Sequence, residues 1–384
     1  MSTKTNKEII FLKSRFTLSG GLEKNALLLT KAFADRNYQV KILTSADQVP
    51  NIDERIEVIP LCTPSKLSYF HLKHFDALCR DWLEKNPANI VFGLDRHSRQ
   101  THYRAGNGVH KVYLKHRKRT EGWMKRLTFR LNPLHRLILD LERKTFQSPD
   151  IRAIFTNSEM VKREIIQHYG TREDLIHPIH NGVAWKEMER DFTLWPFVKE
   201  SNCMSFGLDP KQYQIVFIGN GYRRKGLPYL LKALGKIQDQ PFQLSVIGKD
   251  REEGRFRALA RQLKLEDKIF FFGKQEAPIK FLQIADLLAV PSVYDPFANV
   301  TVEALAMGVP VITSTNNGGY EVVTENNGSI VESVEDAGAF SMALEKAMEK
   351  PKTVLNSLEV RNNVEHLEMI NQLEKIIQLT ENAG

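Results

Sequence analysis

Two carboxylates, Asp295 and Glu303, stand eight residues apart in the densest stretch of the chain, Pro291-Ser292-Val293-Tyr294-Asp295-Pro296-Phe297-Ala298-Asn299-Val300-Thr301-Val302-Glu303-Ala304-Leu305-Ala306-Met307-Gly308-Val309-Pro310-Val311. A buried strand is expected to end at Val290, a loop to hold Asp295, and a helix to start near Asn299 with Glu303 in its first turn. An ionised carboxylate only accepts hydrogen bonds and can take two sugar hydroxyls at once. One carboxylate could hold a hexose and the other a ribose, with free helix N–H groups on phosphates between them. Taken singly, Asp295 could equally cap a turn and Glu303 compensate a helix dipole.

The complementary charge lies in Gly221-Tyr222-Arg223-Arg224-Lys225-Gly226, just past the strand expected at 214–218. Three consecutive cations repel one another unless an anion compensates them. Arginine grips phosphate with a fork and lysine serves as a mobile point charge, so the run suits a diphosphate; the plainer reading is a solvated basic loop. A third element is the turn Ser19-Gly20-Gly21 between a strand and a helix. Glycines there let backbone approach a phosphate at a helix N-terminus, although any strand-to-helix turn looks the same. The turn is not GxGxxG, which disfavours a dehydrogenase.

The elements that must position these residues alternate. Strands are expected at 9–12, 40–43, 56–59, 90–93 and 154–156, with helices at 22–36, 72–83, 137–146 and 160–168. The pattern restarts with strands at 214–218, 243–247, 269–272, 286–290 and 309–313 and helices at 227–237, 254–264, 278–284 and 300–307. Such alternation gives parallel sheets with helices on both faces. The fold class is therefore α/β, with two Rossmann-like domains at 1–185 and 186–364 facing a cleft, and 181–212 as the natural linker. Leu367, Ile370, Leu373 and Ile377 mark an amphipathic helix at 365–380 that could pack back on the first domain.

The whole chain, 384 residues long, suits two domains, and its three cysteines (Cys62, Cys79, Cys203) form neither a CxxC pair nor a metal spacing. They suggest a reducing compartment, and no run resembles an export signal or a membrane span. The net charge of +8 is concentrated in 111–136, which holds nine Lys/Arg and one acidic residue, Glu121. Tyr113, Leu114, Trp123, Met124, Leu127, Phe129, Leu131 and Leu134 are interleaved with the cations. Basic heads with such neighbours fit an anionic membrane surface better than a solvated face or a nucleic acid. A cytoplasmic protein held at the inner face of a membrane is the expectation.

Taken in order, these motifs resemble the retaining glycosyltransferases of family 4, which have the GT-B fold. Gly20-Gly21, Asn157-Ser158, Asn181-Gly182-Val183, Arg224-Lys225-Gly226 and the E-x7-E-like stretch all fall in the family's sequence, over nearly the whole chain. Tyr103-Arg104-Ala105-Gly106-Asn107-Gly108-Val109-His110 and the basic stretch after it are similar to the lipopolysaccharide core glucosyltransferases acting on inner-core heptose, where that stretch associates with membranes. The resemblance implies that Gly20 and Gly21 approach the donor phosphates and that Arg224 and Lys225 hold the diphosphate. It implies Asp295 on the donor sugar, backbone of Phe297, Ala298, Asn299 and Val300 on sugar and phosphate, and Glu303 on the ribose. Lys274 would lie near the base, while Asn107 and His110 would position the transferred sugar. Two positions depart from the pattern: Asp295 stands where the family usually has Glu, and Asn107 where the subgroup commonly has Asp.

The implied reaction is transfer of a hexose, UDP-glucose being the first choice of donor, to a membrane-anchored glycan such as a lipopolysaccharide core. No cofactor and no metal are expected, since no DxD-type cluster is present. The competing readings are another GT-B catalyst, an epimerase or a polysaccharide synthase, and a non-catalytic protein binding sugar nucleotides or membranes.

Overall fold

The computed structural model describes residues 7–15, 21–46, 49, 52–63, 65, 67–120, 129 and 131–383. The chain divides into two units, Met1–His180 with Gln372–Gly384, and Asn181–Asn371.

In the first unit the strands are β1 (Glu8–Leu12), β2 (Gln39–Thr44), β3 (Ile56–Pro60), β4 (Ile90–Gly93), β5 (His102–Arg104), β6 (Ala153–Thr156) and β7 (Ile176–Pro178). Its helices are α1 (Gly21–Asp35), α2 (Ser68–Lys85), α3 (His110–Thr120), α4 (Pro133–Phe146) and α5 (Glu159–Tyr169). The strands form one parallel sheet in the order β3-β2-β1-β4-β5-β6-β7. Alternation along β1 explains why it sits at the centre. Ile9 and Phe11 enter one core cluster while Ile10 and Leu12 enter another, so both faces of the sheet are apolar and covered. Fully burying a side chain such as Phe11 contributes roughly 1.5–3 kcal/mol.

The second unit repeats the plan. It comprises α6 (Glu189–Ser205), β8 (Tyr213–Ile218), α7 (Leu227–Gly235), β9 (Phe242–Ile247), α8 (Glu253–Gln262), β10 (Ile269–Gly273) and α9 (Ile279–Ile284). β11 (Leu287–Val290), α10 (Asn299–Ala306), β12 (Val311–Ser314), β13 (Gly328–Val331), α11 (Ala337–Met348) and α12 (Val354–Asn362) follow. The sheet runs β10-β9-β8-β11-β12-β13, all parallel. Ile215 and Phe217 pack on one face and Val216 on the other. In both sheets the order reverses beside the first strand, between β1 and β4 and between β8 and β11. The loops leaving the carboxyl ends of those pairs are where ligands of such sheets bind.

The last helix, α13 (Met369–Ala383), packs its Ile376 and Ile377 in the β1 core, and Arg36 pairs with Glu374 while Tyr38 Oη meets Glu381 at 3.1 Å. Residues 189–205, read as part of the 181–212 linker, form α6 with Pro196 inside it, a residue that disfavours a helix interior. Strands β5, β7 and β13 and helices α3, α11 and α12 escaped the sequence pattern. No helix among the described residues is long and apolar enough to cross a membrane.

Candidate functional site

Two loops meet at the carboxyl end of the second sheet, 219–226 after β8 and 291–298 after β11. Val293 N donates to Arg224 O at 3.0 Å, which ties the loops together. Gly226 sits at φ 83°, and a Cβ on it would lie 1.6 Å from Pro291 O, so only glycine permits the approach. Gly219 does the same for a side chain: its missing Cβ would lie 2.9 Å from Lys225 Cγ.

Lys225 Nζ donates to Asp295 Oδ2, and Arg224 donates to the same oxygen at 3.3 Å. The other carboxylate oxygen accepts Phe297 N–H at 3.3 Å. Burial alone would raise the Asp295 carboxyl, but the Lys225 and Arg224 cations and these hydrogen bonds hold it below its ordinary value. Arg223 faces Glu252 at 3.7 Å. Each cation of the run thus has an internal carboxylate, and Asp295 is shared by two. Asp295 is buried, whereas the Arg224 side chain is 42% exposed.

Asn317, which sequence reasoning missed, fixes this arrangement. Its Oδ1 accepts Ala298 N–H at 3.0 Å and Gly319 N–H at 3.2 Å, and its Nδ2 donates to Thr313 Oγ1 at 2.9 Å. Asp295 N donates to Asn316 O and Gly318 N to Asp295 O, both at 2.9 Å. α10 starts at Asn299 with Ala298 at its N-cap and no side-chain cap. An uncapped helix start presents N–H groups and partial positive charge to an anion. Asn299 accepts Asn181 Nδ2 at 2.7 Å, which brings the Asn181-Gly182 motif to this helix. Glu303 is the fifth residue of α10, not in its first turn. At i+4 it shares the face of Asn299, about 6 Å farther along the axis. Phe297, Ala298 and Val300 bury their side chains, and Lys274 is exposed immediately after β10.

In the first unit Gly20 lies outside the described residues and Gly21 opens α1. Asn107 is exposed in the turn between β5 and α3. His110 begins α3, and its Nε2 lies 3.0 Å from His135 Nδ1. Burial, with Arg96, His135 and Arg117 nearby, pushes the His110 imidazole down to about 3, so it is neutral at pH 7. At the carboxyl end of β4, Asp95 accepts Lys13 Nζ at 2.9 Å, Ser14 N at 3.0 Å and Ser14 Oγ at 3.2 Å. The basic stretch is described in part, since residues 121–128 and 130 lie outside. α3 exposes Lys111, Lys115 and Lys118, and Arg117 stacks on Phe129 at 4.8 Å. Leu114 and Phe129 are buried, so these two do not join an outward apolar face.

Comparison with known proteins decides the family. The model "Glycosyltransferase Family 4" matches residues 19–184, and "Glycosyl transferases group 1" matches residues 199–367. The chain belongs to the glycosyltransferases. This glycosyltransferase is 21% identical to the lipopolysaccharide glucosyltransferase WaaG of Escherichia coli K12 over 345 residues, 88% of this chain and 89% of that one. An uncharacterized glycosyltransferase of Methanocaldococcus jannaschii is 31% identical over 174 residues, 44% of either chain, so less than half of that relative is spanned. A crystal structure of WaaG superposes with a TM-score of 0.76 over 97% of this chain and 99% of that one. Anabaena HepE, crystallised in complex with UDP-glucose, gives 0.69 at 16% identity over 98% of this chain and 99% of that one. These likenesses establish the GT-B type of fold: two sheets of parallel strands flanked by helices.

Proposed function

We propose that this glycosyltransferase moves a hexosyl group from a UDP-hexose, UDP-glucose first, to a membrane-anchored glycan with retention of anomeric configuration. The carrying observation is the pair of cations, Arg224 and Lys225, gathered on Asp295 beside the uncapped start of α10. A diphosphate is the ligand that can take both cations and the helix N–H groups together. Its arrival frees Asp295 to accept hydroxyls of the donor sugar. Gly20 and Gly21 approach the phosphates, Glu303 takes the ribose, and Lys274 lies near the base. Backbone of Phe297, Ala298, Asn299 and Val300 contacts sugar and phosphate. The likeness to WaaG, a lipopolysaccharide glucosyltransferase, and to HepE, crystallised with UDP-glucose, favours the donor and acceptor classes.

In the proposed step the bond from the anomeric carbon to the β-phosphate oxygen breaks, and one to the acceptor oxygen forms on the same face. The acceptor proton passes to the departing phosphate. Charge building on the diphosphate is met by Arg224, Lys225 and the α10 N–H groups, a preorganised electrostatic effect. These groups suffice without a divalent cation, so turnover should persist in chelator. Asn107 and His110 hold the transferred sugar. The basic stretch 111–136 keeps the enzyme at the inner membrane face, near its acceptor.

The test is a panel of sugar nucleotides offered with a lipid-linked core oligosaccharide, product being followed by mass spectrometry. Labelled hexose on the oligosaccharide is the expected result. A free, altered sugar nucleotide would replace this reading with an epimerase, and binding without turnover with a non-catalytic protein.

A further inference from the structure

The turn that carries Asn107 is gripped from three separate elements. Arg96, in the β4–β5 connection, donates to Gly108 O at 2.6 Å and to Glu142 Oε1 at 3.0 Å. Asn157, at the end of β6, donates to Gly106 O at 3.1 Å. Glu142 of α4 accepts His110 N at 2.6 Å and Lys111 N at 3.2 Å, the first two amides of α3. Tyr169 Oη adds a fourth donor to that carboxylate at 2.6 Å. Gly108 itself lies at φ 63° and closes the turn on Ala105 O at 3.0 Å.

Two features of this grip are costly if packing is its only purpose. Glu142 is fully buried, and a carboxylate taken out of water is tolerated only with its lone pairs filled, as the four donors here fill them. Asn157 is 1% exposed, and its Oδ1 has no hydrogen-bond partner among the described residues, a penalty that an apolar side chain would avoid. What the grip leaves outside is the side chain of Asn107, exposed at the tip. We infer that Arg96, Glu142 and Asn157 are positioning residues, holding the 106–111 turn so that Asn107 meets the transferred sugar in a fixed pose. The inference rests on the glycosyl-transfer reading above. Its physical basis is that reacting groups displaced by about 1 Å can lose on the order of a hundredfold in rate.

Glu142→Gln and Asn157→Ala test it, with kcat, donor KM and UDP affinity measured beside thermal midpoints on the full chain. Glu142→Gln should lower kcat about a hundredfold and Asn157→Ala about tenfold, with UDP affinity unchanged because none of the groups assigned to UDP (Gly20, Gly21, Arg224, Lys225, Lys274 and Glu303) belongs to the 106–111 turn or its grip. Should Glu142→Gln fail to fold, Asn157→Ala, which removes one hydrogen bond, carries the test alone. A folded Asn157→Ala with wild-type kcat overturns the inference and leaves the transfer reading intact. An equal loss of kcat and UDP affinity assigns these residues to folding, which also overturns it. A wild-type chain that moves no sugar from any donor defeats the transfer reading itself, and positioning with it.

Discussion

Each of the two sheets places a lysine–aspartate pair at the carboxyl ends of the strands where its order reverses, and the two pairs are built differently. Among the described residues, Asp95 in the first sheet pairs with one cation, Lys13, and accepts hydrogen bonds from Ser14 N and Ser14 Oγ. One positive charge meets one negative charge, and the carboxylate is saturated from the segment that leaves β1. Asp295 in the second sheet faces two cations on a single oxygen, with Arg224 partly exposed to solvent. That site carries a surplus positive charge held next to a helix start without a side-chain cap. A balanced pair fastens a loop, whereas an overcharged one is ready for an anion. On the proposed function, the same topology supplies a clamp in one half and a receptor in the other.

The sharpest way to break this contrast is to remove the lysine from each pair. Lys225→Ala should lower hexose transfer by about 10²–10³-fold, the range for losing a preorganised donor to developing charge, with a smaller loss of stability than Lys13→Met because Arg224 stays on Asp295. Near-normal turnover in a steady-state assay would strip the second site of its assigned role. Lys13→Met should act mainly on stability, costing about 3 kcal/mol by leaving the half-buried Asp95 without its cation, while UDP affinity stays put. Burial alone would raise the Asp95 carboxyl, but Lys13 and the neighbouring donors hold it below its ordinary value. Its contribution is therefore complete above about pH 4 and lost as pH falls through the folded value. In Lys13→Met the depressing cation is gone, so protonation relieves the variant. Urea denaturation at pH 7 and pH 4 should show the gap between wild type and variant closing at the lower pH.

Much of this plan was legible in the sequence, for reasons that residues make plain. Gln214-Ile215-Val216-Phe217-Ile218 is apolar at both parities, the mark of a strand covered on two faces. The Arg-Arg-Lys run and the 291–311 stretch flank such strands, so their meeting followed from topology. β5 was hidden because His102-Tyr103-Arg104 is three residues long and polar at both ends, its burial supplied by neighbours on either side. α6 was hidden by Pro196. The internal pairing of Asp295 with Arg224 and Lys225 had no local signature, since partners 71 and 70 residues apart are joined only by the fold. Glu142 was invisible for the same reason: in Leu141-Glu142-Arg143-Lys144 it reads as one more solvated helix charge, yet it is buried.

A milder perturbation sharpens the comparison by changing the competitor for the anion. Asp295→Asn leaves Arg224 and Lys225 without their internal carboxylate. UDP should then bind about tenfold more tightly, one charge-assisted contact being released to the ligand, while turnover falls because the sugar loses an acceptor. Isothermal titration with UDP reads the first effect, and the transfer assay the second. Asp95→Asn should leave UDP affinity where it was. Equal responses to the two substitutions would erase the distinction between clamp and receptor.

The smallest expected effect is the most selective. Arg224 is exposed enough that its ion pair with Asp295 should stabilise the fold by less than about 1 kcal/mol. Arg224→Met keeps the apolar stem and removes the charge, so the denaturation midpoint should scarcely move. UDP affinity should fall about tenfold at low ionic strength. The deficit should shrink as salt rises, because the lost interaction is exposed and screened over roughly 10 Å at 0.1 M. A stability loss without a change in UDP binding would make Arg224 part of a clamp like Lys13, and the second sheet would then hold no surplus charge for a diphosphate.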